Sequence, residues 1–295
     1  MMSTSKNPAN AFDDHARWGE RALSGKSAAL LRLCHALPNT PGMRRLALWL
    51  RHPLKHNLPA NVDARIWNLR LRLMPRGNLS ESRWLFLPQF VDHPEREFMR
   101  RELAEGGIFI DIGANAGLYS FWAAAVCMNG TGQVLAVEPD PELQRRMRFN
   151  RGTNDLENLR IEECALGVGE TEGRLISGGK NRGENRVADS ANVDGDLAMG
   201  LSVPLRTLDG LLAERNLDRI DGLKIDIEGQ EYAVMRHFFD HAPESLWPRF
   251  MIFETCTAAQ AKSMQALAAE KGYSTAAKGR MNTVAKRTHS SESQK

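Results

Sequence analysis

Apolar and polar positions change rhythm along this chain, and the changes divide it into four stretches. Residues 1–27 are polar without an apolar face and predict a frayed start. Residues 28–37 and 43–50 repeat apolar side chains at helical spacing, split by Pro38 and Pro41-Gly42, and predict a helix pair. From Trp67 to Leu73 apolar and polar residues alternate, the period of a half-buried strand. Pro75-Arg76-Gly77 breaks this run, residues 82–87 are its expected partner strand, and residues 94–105 predict a helix stopped by Gly106-Gly107.

After residue 106 the rhythm becomes strand, helix, strand, helix. Strands are expected at 108–112, 134–137, 159–162, 222–227 and 250–253, and helices at 117–128, 141–153 and 231–239, the second opening on a proline in its first turn. Repeated units of this kind predict an α/β fold with a mainly parallel sheet covered on both faces, preceded by a small N-terminal α+β extension. Residues 178–200 are rich in Gly, Asn and Asp and read as a long loop capping an irregular hairpin between 174–176 and 201–205, placed to fold over an active site. The expected division is a polar start at 1–27, a cap at 28–105, a main domain at 106–287 and a disordered tail at 288–295.

Composition agrees with a packed domain. Hydrophobic residues at 42% and charged residues at 25% argue against disorder, and 295 residues bury a core without staples. The four cysteines, Cys34, Cys127, Cys164 and Cys256, form no C-x-x-C pair, which excludes a zinc knuckle and a thioredoxin-like couple; no metal site is expected. The first 27 residues hold no apolar signal core, and the longest clean apolar run, 121–128, is far short of a membrane span. A soluble, cytoplasmic protein is the expectation. The net charge of +3 is small, but it is unevenly placed: +7 over 1–105, −9 over 106–255 and +5 over 256–295. The basic helix pair, with Arg32, Arg44, Arg45 and Arg51, is compatible with a packed cap or with peripheral contact to an anionic membrane.

The chemistry is concentrated in four places. Ile110-Asp-Ile-Gly-Ala-Asn-Ala-Gly-Leu-Tyr119 runs a strand through a Gly-rich turn into a helix. Gly113 allows a tight turn and Gly117 a close approach of backbone to ligand. Asp111 would repel a pyrophosphate but suits a cationic amine, and G-x-G-x-x-G is missing, so a dinucleotide is disfavoured. Glu138 ends the next strand, where a carboxylate accepts from both ribose hydroxyls of an adenosine. Cys164-Ala165-Leu166-Gly167 offers small residues against an adenine ring. In Gly222-Leu-Lys-Ile-Asp-Ile-Glu-Gly229, the residues Lys224, Asp226 and Glu228 recur with period two, which predicts one shared strand face opening on the same crevice as Asp111 and Glu138. Paired carboxylates there act as a general base or hold a hard cation.

These blocks, with Asn150-x-x-x-Asn154, Thr207-Leu-Asp209 and Ile252-Phe-Glu254 in order between and after them, resemble the FkbM-type methyltransferases over residues 106–254. The resemblance implies a class I (Rossmann-like), S-adenosylmethionine-dependent fold and methylation of a hydroxyl oxygen on a sugar, glycan or natural product. By position it implies that Asp111, Gly113, Ala114, Asn115 and Gly117 shape the methionine end of the cofactor pocket, that Glu138 holds the ribose and that Cys164 and Ala165 flank adenine. Lys224, Asp226 and Glu228 are the candidate catalytic residues, with Asp226 or Glu228 taking the acceptor's proton during in-line SN2 transfer. An RNA methyltransferase would want a basic stripe with aromatics interleaved, and only Trp49 and Trp67 lie in the basic stretch 44–76, so a small-molecule or glycan acceptor and no nucleic acid are expected. A catalytically silent scaffold of the same fold would not need the four acids intact.

Overall fold

The protein is described by a computed structural model covering residues 11–176, 186–189, 200–255 and 258–288. Cys256, most of the 178–200 stretch and residues 289–295 of the expected tail lie outside the described residues, as do residues 1–10.

Helices α1 (Gly25–Ala36), α2 (Pro41–Leu50) and α3 (His52–Asn57) lead into an antiparallel hairpin of β1 (Val62–Ile66) and β2 (Leu69–Leu73). Trp67 and Asn68 make its turn, both at positive φ, the reversal whose twist suits a two-residue hairpin. The expected partner strand at 82–87 is instead a helix, α4 (Leu79–Phe86). Asn78 caps it, accepting from Ser80 N at 2.9 Å and Glu81 N at 3.2 Å. The partner role falls to β1, whose Val62, Ala64 and Ile66 alternate into the core. Helix α5 (His93–Glu102) stops three residues before the expected end.

The main sheet is built from β3 (Ile108–Ile112), β4 (Gln133–Val137), β5 (Leu159–Glu162), β10 (Gly222–Ile225), β11 (Phe250–Glu254), β12 (Tyr273–Lys278) and β13 (Asn282–Arg287). Its order is β12-β13-β11-β10-β3-β4-β5, parallel from β11 to β5 and antiparallel at the β12–β13 edge. The connecting helices are α6 (Leu118–Phe121) continuing as a π-helix through Cys127, α7 (Pro141–Thr153), α8 (Leu208–Glu214), α9 (Glu231–His241) and α10 (Ala258–Glu270). A second sheet, β6 (Ala165–Leu166), β7 (Thr171–Ile176), β8 (Arg186–Asp189) and β9 (Leu201–Arg206), has the order β6-β9-β7-β8. The hairpin expected there forms between β7 and β9, and β8 falls inside the stretch read as loop.

Alternation along each central strand sends side chains to two cores. Phe109, Val134, Phe250 and Ile252 face the N-terminal helices, with Trp84, Leu85 and Phe98. Ile110, Ile112, Leu223, Ile225 and Phe253 face α8, α9 and α10. The extension therefore shares a core with one face of the main sheet.

Candidate functional site

In the main sheet β3 has β4 on one side and β10 on the other, so the direction in which strands are added reverses at β3. Such a reversal leaves a crevice outside the carboxyl ends of the strands. A cleft, open at its mouth, lies there. Its lining comes from the turn after β3 (Gly113 to Ala116), from Lys224 and Asp226 on β10 and just past it, and from Glu254 ending β11. The walls are Ser80, Arg83 and Trp84 of α4, Asp92 before α5, and Met281 and Asn282 at the start of β13.

The glycine-rich turn is held from three sides. Gly113 N and Ala114 N both donate to Val137 O at 3.0 Å. Gly113 has φ +73°, and a Cβ there would come within 2.1 Å of the Asp226 carbonyl oxygen, so the two loops pack backbone to backbone. Asn115, at φ +56°, donates its N–H to Glu138 Oε2 at 2.8 Å, while its Oδ1 accepts from Ala116 N at 2.7 Å and from Asn78 Nδ2. The capping residue of α4 thus ties the extension to the turn.

Charge is concentrated beneath the cleft. Lys224 lies opposite Asp111 in the β3–β10 register, so one buried ammonium sits beside one buried carboxylate. Burial pushes the Asp111 carboxyl above the usual carboxylate range, against the pull of Lys224 and of the Ser120 hydroxyl, which donates to Oδ2 at 2.6 Å. Asp111 Oδ1 has no hydrogen-bond partner. Lys224 Nζ lies 3.1 Å from Asp226 Oδ2 and 5.0 Å from the Tyr119 ring centroid. Burial works against its charge, yet Asp226 and Asp111 hold the ammonium above its ordinary value. Tyr119 Oη donates to Asp92 Oδ2 at 2.9 Å.

The expected site residues do not all converge on the cleft. Gly113, Ala114, Asn115, Lys224 and Asp226 come together in the lining. Asp111 lies directly below, and Glu138 connects to it through the Asn115 amide; burial pushes the Glu138 carboxyl up to about 8 despite hydrogen bonds from Asp140 N and Asn115 N. Gly117, at φ +80°, faces inward, where a Cβ would meet Met147 at 2.7 Å. Cys164 and Ala165 are buried outside this lining at the root of the second sheet, the Cys164 thiol pushed up to about 12 by burial. Glu228 does not share a strand face with Lys224, contrary to the period-two expectation. β10 ends at Ile225, the chain turns, and Glu228 sits exposed at φ +53°.

Arg83, Asp92 and Asn282 do not stand out as cleft residues in the sequence, whereas Trp84 is expected there to pack between the N-terminal strands or to offer a stacking platform for a sugar ring. A signal existed for Arg83: Asn78 followed three residues later by Glu81 is the pattern of a capped helix start, and a helix from there carries Arg83 and Trp84. The others reach the cleft by long-range packing. Among the described residues no helix is long and apolar enough to cross a membrane, and no three His, Cys, Asp or Glu side chains converge as a metal-binding group.

The chain matches the Methyltransferase FkbM domain family over residues 111–274. A curated relative, the AMB antimetabolite synthetase AmbE of Pseudomonas aeruginosa, is 29% identical over 201 residues, 56% of this chain. The chain spans only 9% of that relative's length. Similar solved structures include a methyltransferase FkbM from Methylobacillus flagellatus KT, with 17% identity, 61% of this chain and 43% of that one covered, and a TM-score of 0.37. Trm5b from Pyrococcus abyssi is 12% identical, with 77% and 55% covered and a TM-score of 0.42.

Proposed function

Because this chain belongs to the FkbM methyltransferase family and takes its methyl group from S-adenosylmethionine, we propose that it methylates a hydroxyl oxygen of a sugar, glycan or other small-molecule acceptor in the cleft above β3 and β10. One observation carries the reading. The Asp226 carboxylate lines the cleft, is held at Oδ2 by a buried ammonium, and has its backbone packed against the glycine-rich turn.

The residues present fit the donor. Asp111 Oδ1, buried and without a partner, is an acceptor for an amino group, and Glu138 next to the Asn115 turn is an acid of the kind that takes ribose hydroxyls. The bound donor supplies an electrophilic methyl on a sulfonium. Asp111 favours the donor's cationic amine and disfavours a phosphate. Lys224 holds Asp226 Oδ2, leaving Oδ1 to receive the acceptor's proton as its oxygen attacks. A positioned base of this kind is worth roughly 10²–10⁴ in rate. Alignment of acceptor and donor by the walls, Arg83 and Trp84 among them, supplies the rest.

The test is in two steps. Calorimetric titration with S-adenosylmethionine and S-adenosylhomocysteine, with NAD as control, reads the pocket. Transfer of labelled methyl to a panel of sugars, sugar nucleotides and hydroxylated natural products, with RNA as control, reads the acceptor. Asp226→Asn is expected to keep donor affinity within about threefold and to lose about 10²-fold or more in turnover. Turnover unchanged in that variant removes Asp226 as the base, and transfer to RNA alone replaces the acceptor class.

A further inference from the structure

Between Glu20 and Asp63 the chain carries Arg21, Lys26, Arg32, Arg44, Arg45, Arg51 and Lys55 and not one Asp or Glu. Helices α1 and α2 lie inside this stretch. They turn Leu31, Cys34 and Ala47 inward, where these side chains are buried. Their outward side is unusual in what it exposes. Trp49 is 73% exposed, Leu33 48% and Leu46 38%, and Lys26, Arg32 and Arg45 are exposed on the same two helices. Leu46 and Trp49 are three residues apart and neighbours on the surface of α2, with Arg45 one turn before Trp49.

We propose that the outward face of α1 and α2 docks on an anionic lipid surface, with Trp49, Leu46 and Leu33 entering the interface and the surrounding arginines and lysine meeting lipid phosphates. This proposal is independent of the acceptor reading above. The face carries two kinds of group, and the occupant has to satisfy both. A second copy of this chain would bury the apolar residues but bring like charges together. A nucleic acid would meet the cations and leave two leucines without a purpose. A bilayer with anionic headgroups takes the apolar side chains into its interface and pairs the cations, as interfacial amphipathic helices do. No carboxylate within the segment competes for those cations.

The docking face adjoins the cleft. Arg51 caps the C-terminal end of α2, and its guanidinium pKa is lowered by burial and then by the like charges of Arg83 and Arg44. Arg83 lines the cleft and reaches across it, donating to Met281 Sδ at 3.2 Å. Arg51, at the end of α2, is thus near enough to Arg83 of the cleft wall for their like charges to interact.

Cosedimentation of the full chain with phosphatidylcholine–phosphatidylglycerol vesicles, against pure phosphatidylcholine vesicles, tests this. Wild-type protein is expected to sediment with the anionic vesicles, less so as salt rises, and to remain in solution with the neutral ones. Leu46→Gln with Trp49→Ser should weaken binding about tenfold or more, and Arg45→Gln about fivefold. Both substitutions are on the surface, so thermal unfolding and S-adenosylmethionine affinity should match wild type, which separates lost docking from lost fold. Emission from Trp49, taken as the difference between wild type and Trp49→Phe, should shift blue on vesicle addition. Failure to bind anionic vesicles overturns the proposal, as does equal binding by the Leu46→Gln/Trp49→Ser variant. Lipid-free dimerisation abolished by that variant reassigns the face to a second copy. Tight RNA capture that displaces the vesicles reassigns it to nucleic acid.

Discussion

The side-chain amide of Asn150 holds the backbone of Arg72 from both directions, accepting from Arg72 N at 2.7 Å and donating to Arg72 O at 3.0 Å. Asn154, four residues on along α7, does the same to Arg70, at 2.7 Å and 2.8 Å. Four residues of helix rise about 6 Å and two residues of strand about 6.7 Å, so the two amides match the ladder spacing of β2 and stand in for a neighbouring strand. This is what Asn-x-x-x-Asn does here: it fastens the N-terminal hairpin to the main domain. Asn150→Ala would leave a buried N–H and a buried carbonyl unpaired and should cost about 2–4 kcal/mol by urea denaturation. Asn154, which is less buried, should cost about 1 kcal/mol.

Gly113 and Gly152 give a contrast within one chain. Gly113→Ala forces a left-handed φ on alanine and drives its Cβ into the Asp226 carbonyl, and it should lose about 3 kcal/mol or more together with donor binding. Gly152 lies on the exposed side of α7 with nothing near its missing Cβ, and Gly152→Ala should gain up to about 1 kcal/mol. Thermal melts of the two variants check both signs.

Ligand-free protein should lose stability as pH rises from about 4.5 to about 8. Burial raises the carboxyl of Glu95 from the ordinary 4.5 to about 7 and that of Glu138 to about 8. The folded state therefore holds protons that the unfolded chain has released. The associated stability is complete below about 4.5 and is lost as pH passes through each folded value, at up to about 1.4 kcal/mol per pH unit for each group. Glu138→Gln should flatten the upper part of this slope in urea midpoints measured from acid to alkaline pH. The same variant should weaken S-adenosylmethionine binding.

Lys224 is the counter-ion of two carboxylates. Lys224→Met leaves Asp111 and Asp226 facing each other with no ammonium between them, and it should destabilise the fold by about 3–5 kcal/mol. Its effect should shrink at low pH, where Asp111 takes a proton readily because burial already raises its pKa. Denaturation of wild type and variant at two pH values measures this.

Glu228 and Asp226 should part company in turnover assays. Glu228 is exposed on a left-handed turn outside the cleft lining, and Glu228→Gln should keep turnover within about twofold of wild type, where Asp226→Asn falls by orders of magnitude.

The sequence alone determined the βα alternation, because strand and helix periods are local properties of apolar spacing. The ends of β3, α7 and β5 were legible to within a residue, marked by Gly113, by Pro141 and by the charged residues flanking short apolar runs. The glycine-rich turn after β3 was legible too, since Gly113 and Gly117 sit where only a positive φ fits. Residues 82–87 were misread because their apolar content fits a strand as well as a buried helix, and only the Asn78 cap decides between them. Glu228 was misplaced because period two holds only while the chain stays extended, and β10 ends at Ile225. What only the tertiary structure decided is which distant side chains share the cleft. Arg83, Asp92 and Asn282 meet Asp226 there through a sheet register and a shared core, and these are sums of many weak contacts that no short window of sequence contains.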